Sequence, residues 1–246
     1  MWNKPHLLNA IADLLILAAA AACLAAAAVW LVRVPSLPVR QVVFAEPLAH
    51  TRQSEVEQVL PLALKGNFFS LNLEHVRGAL ETLPWVRKVE VRRIWPAKLE
   101  VTVEEHRPLA RWGEGRGELV DSYGEVFSAM PTVEELTSLP LLYGPQGTAP
   151  EVLKRYSELV ESFRAVGERP VQVTLSPRLA WQLKLANGML VDMGREQPKA
   201  PVGVRLQRFI EVYPETVAKQ AVRPAVVDLR YPNGFAMRVA GEGKGK

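Results

Sequence analysis

The strongest hydrophobic pattern in this chain is an unbroken apolar segment close to its N-terminus. Residues 14–32 carry no charged side chain, and Asp13 is the only charged residue within 11–32. At about 1.5 Å per residue, a helix of this length just crosses a hydrocarbon core of about 30 Å, where only a helix satisfies its own backbone hydrogen bonds. The pattern predicts a transmembrane helix over residues 11–32, with a short cytoplasmic tail at residues 1–10.

A cleaved signal peptide is the alternative for this segment, since Lys4 and the alanine-rich end both fit one. The apolar run is longer than the usual stretch of about 7–15 residues, however. Trp30 beside Arg33 is typical of an interfacial anchor. We therefore expect a retained membrane anchor that includes Leu14, Trp30 and Val32.

The next segment, residues 38–107, switches from helical to alternating periodicity. An apolar strand at 39–44 is followed by two helical patterns, one with apolar residues at 56, 59, 60 and 64 and one at 73, 76, 80 and 83. Two strands then alternate apolar and charged positions around the turn at Trp95-Pro96-Ala97. The order strand-helix-helix-strand-strand predicts a small α+β domain, with Val89, Val91, Leu99, Val101 and Val103 facing the helices.

The pattern along residues 108–240 predicts a second, mainly antiparallel β domain with flanking helices. Gly117 to Phe127 has the pattern of a hairpin, and an amphipathic helix follows Pro150. Strands are expected at 171–176, 179–185 and 189–193, and then a further helix. The last two strands, 225–231 and 235–239, are joined at Pro232-Asn233-Gly234. Residues 241–246 are polar and glycine-rich, and we expect a disordered tail there.

Composition and motifs argue against catalysis and cofactor binding. The only cysteine, Cys23, lies in the apolar segment, so the remainder has neither a disulfide nor a cysteine metal site. The net charge of +4 is spread along the chain, which argues against nucleic-acid binding. His50, His75 and His106 lack ligand spacing, and the segment Glu104-Glu105-His106 is best explained as the solvated edge of a sheet. We expect no catalytic, metal or cofactor residues and no small-molecule substrate.

The run from Leu83 to Pro96, followed by Leu99 to Pro108, resembles the POTRA domain of the FtsQ/DivIB family of bacterial division proteins. The shared pattern is P-W-V-x-x-V-x-V, then W-P, then L-x-V-x-V-x-E-x-x-P. One departure is the end of the first strand. The family often has glycine there, whereas this chain has Phe44-Ala45-Glu46-Pro47, so we expect that turn to be built differently.

The second domain resembles the β domain of the same family. Trp181 to Gly188, Gly194-Arg195, Arg208-Phe209-Ile210 and Tyr213-Pro214 resemble its middle portion, and Val227 to Ala236 resembles its closing hairpin. The resemblance extends over the anchor, the POTRA domain and the β domain in order. The cytoplasmic tail is shorter than is usual in the family.

The resemblance implies a single-pass protein of the inner membrane, with a cytoplasmic N-terminus and a periplasmic bulk, located at the division septum. It implies binding of FtsB and FtsL, with further contacts to FtsK, FtsW and FtsI, by recognition without chemistry. The closing strand, followed directly by the expected tail, has the character of a sheet edge open to strand addition. The implied contact residues are Arg178, Arg230, Tyr231, Asn233, Gly234, Phe235, Ala236, Met237, Arg238 and Val239.

Three alternatives remain open from the sequence. Tyr231 has a competing interpretation as a core residue, and Arg178 has one as a merely solvated side chain. An anchored POTRA docking or chaperone module for envelope or secreted proteins is the rival function. The single POTRA copy, the membrane helix and the shortage of residues for a β-barrel argue against it.

Overall fold

The computed structural model describes residues 5–33, 38–115 and 117–239. These residues form two compact units that meet in sequence between Glu105 and His106. The predicted disordered tail at 241–246 lies outside the described residues, as do the first four residues of the predicted cytoplasmic tail.

The N-terminal apolar segment forms one continuous helix, α1, from Pro5 to Arg33. It begins six residues before the predicted start at Ile11, because proline at the first helical position suits a helix N-terminus. Within it, Asn9–Trp30 has a mean hydropathy of 2.3 and no buried residue. Leu14 and Trp30 are both exposed, and Val32 lies in the last turn. The described residues therefore contain one helix long and apolar enough to cross a membrane.

The first unit has the predicted strand-helix-helix-strand-strand order. Its elements are β1 (Gln41–Phe44), α2 (Gln53–Ala63), α3 (Leu73–Leu80), β2 (Val86–Ile94) and β3 (Lys98–Glu105). The sheet order is β1-β3-β2, with β1 parallel and β2 antiparallel to the central β3. Val89, Leu99 and Val101 are buried in a core that includes residues of both helices, and Val91 and Val103 pack against it half-buried. The predicted orientation of the hairpin is confirmed.

The loop that follows the Phe44-Ala45-Glu46-Pro47 turn is held by a carboxylate from the end of β3. Glu105 accepts hydrogen bonds from the backbone N–H groups of Ala49 at 2.8 Å and Thr51 at 2.7 Å, and from that of His50. The ring of His50 stacks on Trp85 with centroids 4.2 Å apart. The prediction that Glu105 belongs to a solvated edge is therefore wrong. Its carboxylate is largely enclosed because it organises a loop that sequence spacing does not reveal.

The second unit is built on a nine-stranded sheet with the order β12-β11-β10-β9-β8-β7-β4-β5-β6. Its strands are β4 (Pro108–Trp112), β5 (Glu118–Asp121), β6 (Val126–Ser128), β7 (Leu141–Tyr143), β8 (Pro170–Leu175), β9 (Ala180–Leu185), β10 (Leu190–Arg195), β11 (Pro224–Asp228) and β12 (Ala236–Val239). Most neighbouring pairs are antiparallel, and β4–β7, β7–β8 and β10–β11 are parallel. The helices are α4 (Val133–Ser138), α5 (Ala149–Arg164) and α6 (Val202–Val212).

One face of this sheet carries the main core. Its largest fully buried side chains include Trp181, Phe163 and Phe209, which come from β9, α5 and α6. The α+β class with flanking helices is confirmed. The short elements α4 and β7 were not predicted, because segments of six and three residues carry too little periodicity to be recognised.

Two boundaries differ from the prediction in ways that concern the candidate contact residues. The sequence pattern predicts that Leu179 begins a strand, but Leu179 has φ of 57° and lies with Arg178 in the turn between β8 and β9. The closing strands are also shorter than predicted, since β11 ends at Asp228 and β12 begins at Ala236. Leu229 to Phe235 therefore form a longer connection, held by side-chain contacts described below.

His106 also departs from the predicted solvated edge. Its Nδ1 lies 2.8 Å from Oδ2 of the fully buried Asp121, and its ring stacks on Phe127 with centroids 4.1 Å apart. Asp121 also accepts hydrogen bonds from the backbone N–H groups of Tyr123 and Glu125, each at 2.9 Å. The pair thus ties the start of β4 to the β5–β6 turn.

Candidate partner-binding surface

Strand β12 forms one edge of the nine-stranded sheet. It pairs antiparallel with β11, with Asp228 opposite Ala236, Val227 opposite Met237 and Val226 opposite Arg238. Among the described residues, no further strand pairs with its other side. Ala236, Met237 and Arg238 are exposed, and Met237 has 38% of its surface accessible.

The hydrogen-bonding pattern determines which backbone groups of β12 face this open edge. The N–H of Leu229 donates to the carbonyl of Asp192 on β10 at 2.8 Å. Because adjacent residues of a strand direct their backbone groups to opposite sides, Asp228 and Val226 face β12 and bond Ala236 and Arg238. The N–H and C=O of Met237 therefore point away from β11. They face the side of β12 with which no described strand pairs.

The connection between β11 and β12 presents polar and aromatic groups beside this edge. Tyr231 has 54% of its surface exposed, which excludes its interpretation as a core residue. Pro232 and Asn233 are exposed as well, and Gly234 is half-buried. Phe235 differs from its neighbours, because its ring packs edge-on against Phe209 of α6 at a centroid distance of 5.3 Å. This contact packs the end of the β11–β12 connection against the core.

Arg230 is held by two carboxylates at the end of the sheet. It donates to Asp228 through Nε at 2.9 Å and through a terminal nitrogen at 2.6 Å, and its Nε lies 3.6 Å from Asp192. The hydrogen bond from Arg230 is the main cause that lowers the pKa of Asp228, and the same bond raises the pKa of Arg230. The Arg230 side chain also crosses Gly194, where an added Cβ would meet its Cγ at 2.7 Å. Glycine is favoured there both by this close approach and by its φ of 67°.

A buried arginine on α6, which was not predicted from the sequence, holds the start of the β11–β12 connection by a hydrogen bond. Arg205 is only 3% exposed, and its guanidinium donates to four backbone carbonyls. The acceptors are Ala200 at 2.9 Å, Met193 at 2.6 Å, Leu229 at 3.0 Å and Arg195 at 2.7 Å. Burial lowers its pKa, and nearby carboxylates oppose that effect. Its burial could have been predicted from spacing, since Arg205 falls three residues after Val202 on the apolar stripe of the helix.

Arg208, one turn further along α6, fastens the other end of the connection by donating to the carbonyl of Pro232 at 2.5 Å. Leu229, Pro232 and Phe235 are thus each held by α6, and the exposed residues between them are presented on a rigid support. This arrangement lowers the entropic cost of ordering a loop on binding.

Arg178 lies at the same end of the sheet as this connection. The register pairs Ala180 with Arg195 at the end of β10, and β10 runs parallel to β11 so that Asp192 is opposite Asp228. The β8–β9 turn and the β11–β12 connection therefore project from one end, two strands apart. Arg178 is exposed there.

One cluster has metal-ligand chemistry and must be weighed against the predicted absence of a metal. Potential ligand atoms of His106, Asp121 and Glu125 lie within 4.8 Å of one another. Asp121 already bonds His106 through one oxygen and two backbone N–H groups through the other. These bonds build the turn, so the geometry is that of a structural pair.

The fold and the surface together define a class of protein. A long apolar helix is followed by a POTRA-type unit and by a β unit whose edge strand is open and rigidly supported. Such a chain is suited to recognising other proteins beside a membrane.

Comparison with known proteins identifies the family. The profile of the FtsQ-type POTRA domain matches residues 37–106, and that of the FtsQ/DivIB C-terminal region matches residues 110–230. The cell division protein FtsQ of Burkholderia pseudomallei is 40% identical over 98% of this chain and 95% of its own length. That of Nitrosospira multiformis is 35% identical over 97% and 99%, and that of Escherichia coli is 32% identical over 85% and 75%. The chain belongs to the FtsQ/DivIB family of cell division proteins.

Proposed function

We propose that this chain is a bitopic divisome protein that binds FtsB and FtsL through strand addition to β12. Its N-terminus lies in the cytoplasm, α1 is retained as the anchor, and the two folded units lie in the periplasm at the septum. FtsK, FtsW and FtsI are proposed as further partners. The protein acts by binding alone, without enzymatic activity.

The observation that carries this proposal is the open edge of β12 beside an exposed tyrosine. Met237 directs one donor and one acceptor outward, which is what an added strand requires. Tyr231 offers a large rigid ring of the kind that dominates binding energy at interfaces. Arg178 adds a cation at the same end of the sheet, suited to an acidic segment of the partner.

The decisive experiment compares two proline substitutions in adjacent residues of β12. Met237→Pro removes an outward N–H and leaves the bonds to β11 in place, so it should weaken binding of an FtsB peptide on the order of tenfold or more. Arg238→Pro removes a donor that faces β11 and should instead loosen the edge strand itself. Isothermal titration measures the affinity, and hydrogen exchange of β11 and β12 reports which variant keeps its strand.

A tyrosine pair provides the matched side-chain test. Tyr231→Ala should reduce peptide affinity by about 2 kcal/mol, because it removes a hot-spot ring from the surface. Tyr123→Ala removes an equally exposed tyrosine from the β5–β6 turn at the far edge of the sheet and should bind as the wild type does. Equal affinities for both variants, with intact circular dichroism, would place the partner site elsewhere.

Localisation separates division from the rival function of a docking or chaperone module. A fluorescent fusion should concentrate in a ring at mid-cell before constriction. Uniform distribution around the envelope would favour the rival.

A further inference from the structure

A second candidate surface lies in the POTRA-type unit, in a groove between the edge strand β1 and helix α2. The groove has a volume of about 800 Å³. Its walls include Val42 and Phe44 of β1 and Val56, Leu60 and Leu64 of α2 and its C-terminal end. It is lined mainly by apolar side chains, as binding grooves are.

The backbone of β1 directs hydrogen-bonding groups along this groove. The N–H of Ala45 donates to the carbonyl of Val101 on β3 at 3.0 Å, so residues 41, 43 and 45 face β3. Adjacent residues point the opposite way, and the N–H and C=O of Val42 and Phe44 are therefore directed outward. Among the described residues, no strand pairs with this side of β1. An extended segment laid along it would gain main-chain hydrogen bonds as well as apolar contact.

The charge at the rim of the groove has one sign. Glu46 and Glu57 line it, both are exposed, and the lining residues include no lysine or arginine. A bound segment with a basic side chain at either rim position would gain a favourable pair, whereas an acidic one would meet repulsion. Charge of this kind selects partners more than it adds affinity.

The length of the chain between α1 and β1 limits how far the groove can lie from the end of α1. Seven residues, 34–40, separate the end of α1 at Arg33 from the start of β1 at Gln41. Fully extended, they reach at most about 25 Å. If α1 is the membrane anchor proposed above, the start of β1 lies within about that distance of the end of the anchor helix.

We propose that the β1–α2 groove binds the membrane-proximal extended segment of a second anchored protein by strand addition. The segment is apolar at alternate positions and carries a lysine or arginine. Apolar side chains enter the groove, the main chain pairs with Val42 and Phe44, and the basic group lies against Glu46 or Glu57. This site is separate from the β12 edge.

A charge exchange on exposed residues tests the proposal without disturbing the core. The protein is the full chain in lipid nanodiscs, and the probe is a fluorescent peptide of alternating valine and threonine with lysine at both ends. A second probe has glutamate at both ends. Wild type should bind the lysine probe on the order of tenfold more tightly than the glutamate probe, and Glu46→Lys with Glu57→Lys should reverse the order. Glu74→Lys, an exposed carboxylate on α3 outside the groove lining, is the matched control and should retain the wild-type preference.

Two further measurements distinguish binding in this groove from binding at the β12 edge and from self-association. Val42→Pro should weaken binding of the lysine probe, whereas Tyr231→Ala should leave its affinity unchanged. The result would therefore hold even if the β12 proposal failed. Attaching the probe to a lipid through a linker spanning about 25 Å should raise its apparent affinity on the order of tenfold or more. Absent binding, or a charge preference equal in all variants, would overturn the proposal. Self-association of the chain that the lysine probe displaces would make the occupant a second copy and would overturn it as well.

Discussion

Burying one carboxyl group in the POTRA-type core provides a stringent test of the first unit. Val101 lies on the central strand β3, has no exposed surface, and stands between Phe44 on β1 and Val91 on β2. Val101→Asp removes a buried apolar side chain, at a cost of about 1.5 kcal/mol, and buries a polar group without a partner, at about 1–3 kcal/mol. The expected loss of about 2.5–4.5 kcal/mol is a large part of the stability of a small domain, which is on the order of 5–10 kcal/mol.

Two neighbouring substitutions calibrate this loss. Val101→Thr keeps the shape but buries a hydroxyl, and should lie between the wild type and Val101→Asp. Thr102→Asp places the same carboxyl on the exposed face of the same strand. Opposite it stands Glu90, so it should cost at most about 1 kcal/mol through repulsion.

Hydrogen exchange of the full chain, resolved by mass spectrometry, measures the loss of stability in the first unit separately from any change in the second unit. Burial raises the pKa of the introduced carboxyl above its unfolded value, so the folded state retains the proton longer and the destabilisation grows as the pH rises. Equal protection of β3 in Val101→Asp and Thr102→Asp would refute the assigned orientation of the hairpin.

Three further outcomes are expected. The mature protein should begin at Met1 or Trp2 and fractionate with the inner membrane; N-terminal sequencing that starts near Ala28 would show a cleaved signal instead. Neither EDTA nor a reductant should change the melting temperature, and a marked drop with EDTA would assign a metal to the cluster around His106. For Glu105, burial raises the pKa, but hydrogen bonds from Thr51, Ala49 and His50 outweigh it, so the folded pKa lies below 4.5. The stability contributed by this group should therefore be lost as the pH falls below about 4.5, and Glu105→Gln should remove that pH dependence in thermal melts.

Local patterns in the sequence were sufficient for the main elements of both units. Helical spacing marked α5 with Val152, Leu159 and Phe163, all of which are buried. Strict alternation marked β3, because a strand with one covered face must separate its apolar and polar residues. These signals depend on neighbours within one element, so they can be read without knowing what packs against it.

Contacts between distant residues are what the sequence did not reveal. Glu105 bonds backbone groups more than fifty residues away in sequence, and Asp121 bonds His106 across a turn. Both polar groups occupy strand ends where a solvated position is the ordinary expectation. Only the folded chain shows that each satisfies donors that would otherwise be left unpaired.

For the candidate binding surface, the sequence by itself determined which residues belong to the closing hairpin, through the turn at Pro232-Asn233-Gly234 and the resemblance to the FtsQ/DivIB family. The tertiary structure decided that β12 lies at an edge, that Met237 directs its backbone outward, and that Tyr231 is exposed while Phe235 is anchored. It also decided the role of Arg205, whose four carbonyl acceptors come from separate segments. Sheet order and side-chain burial follow from pairing across the whole domain, which no local period encodes.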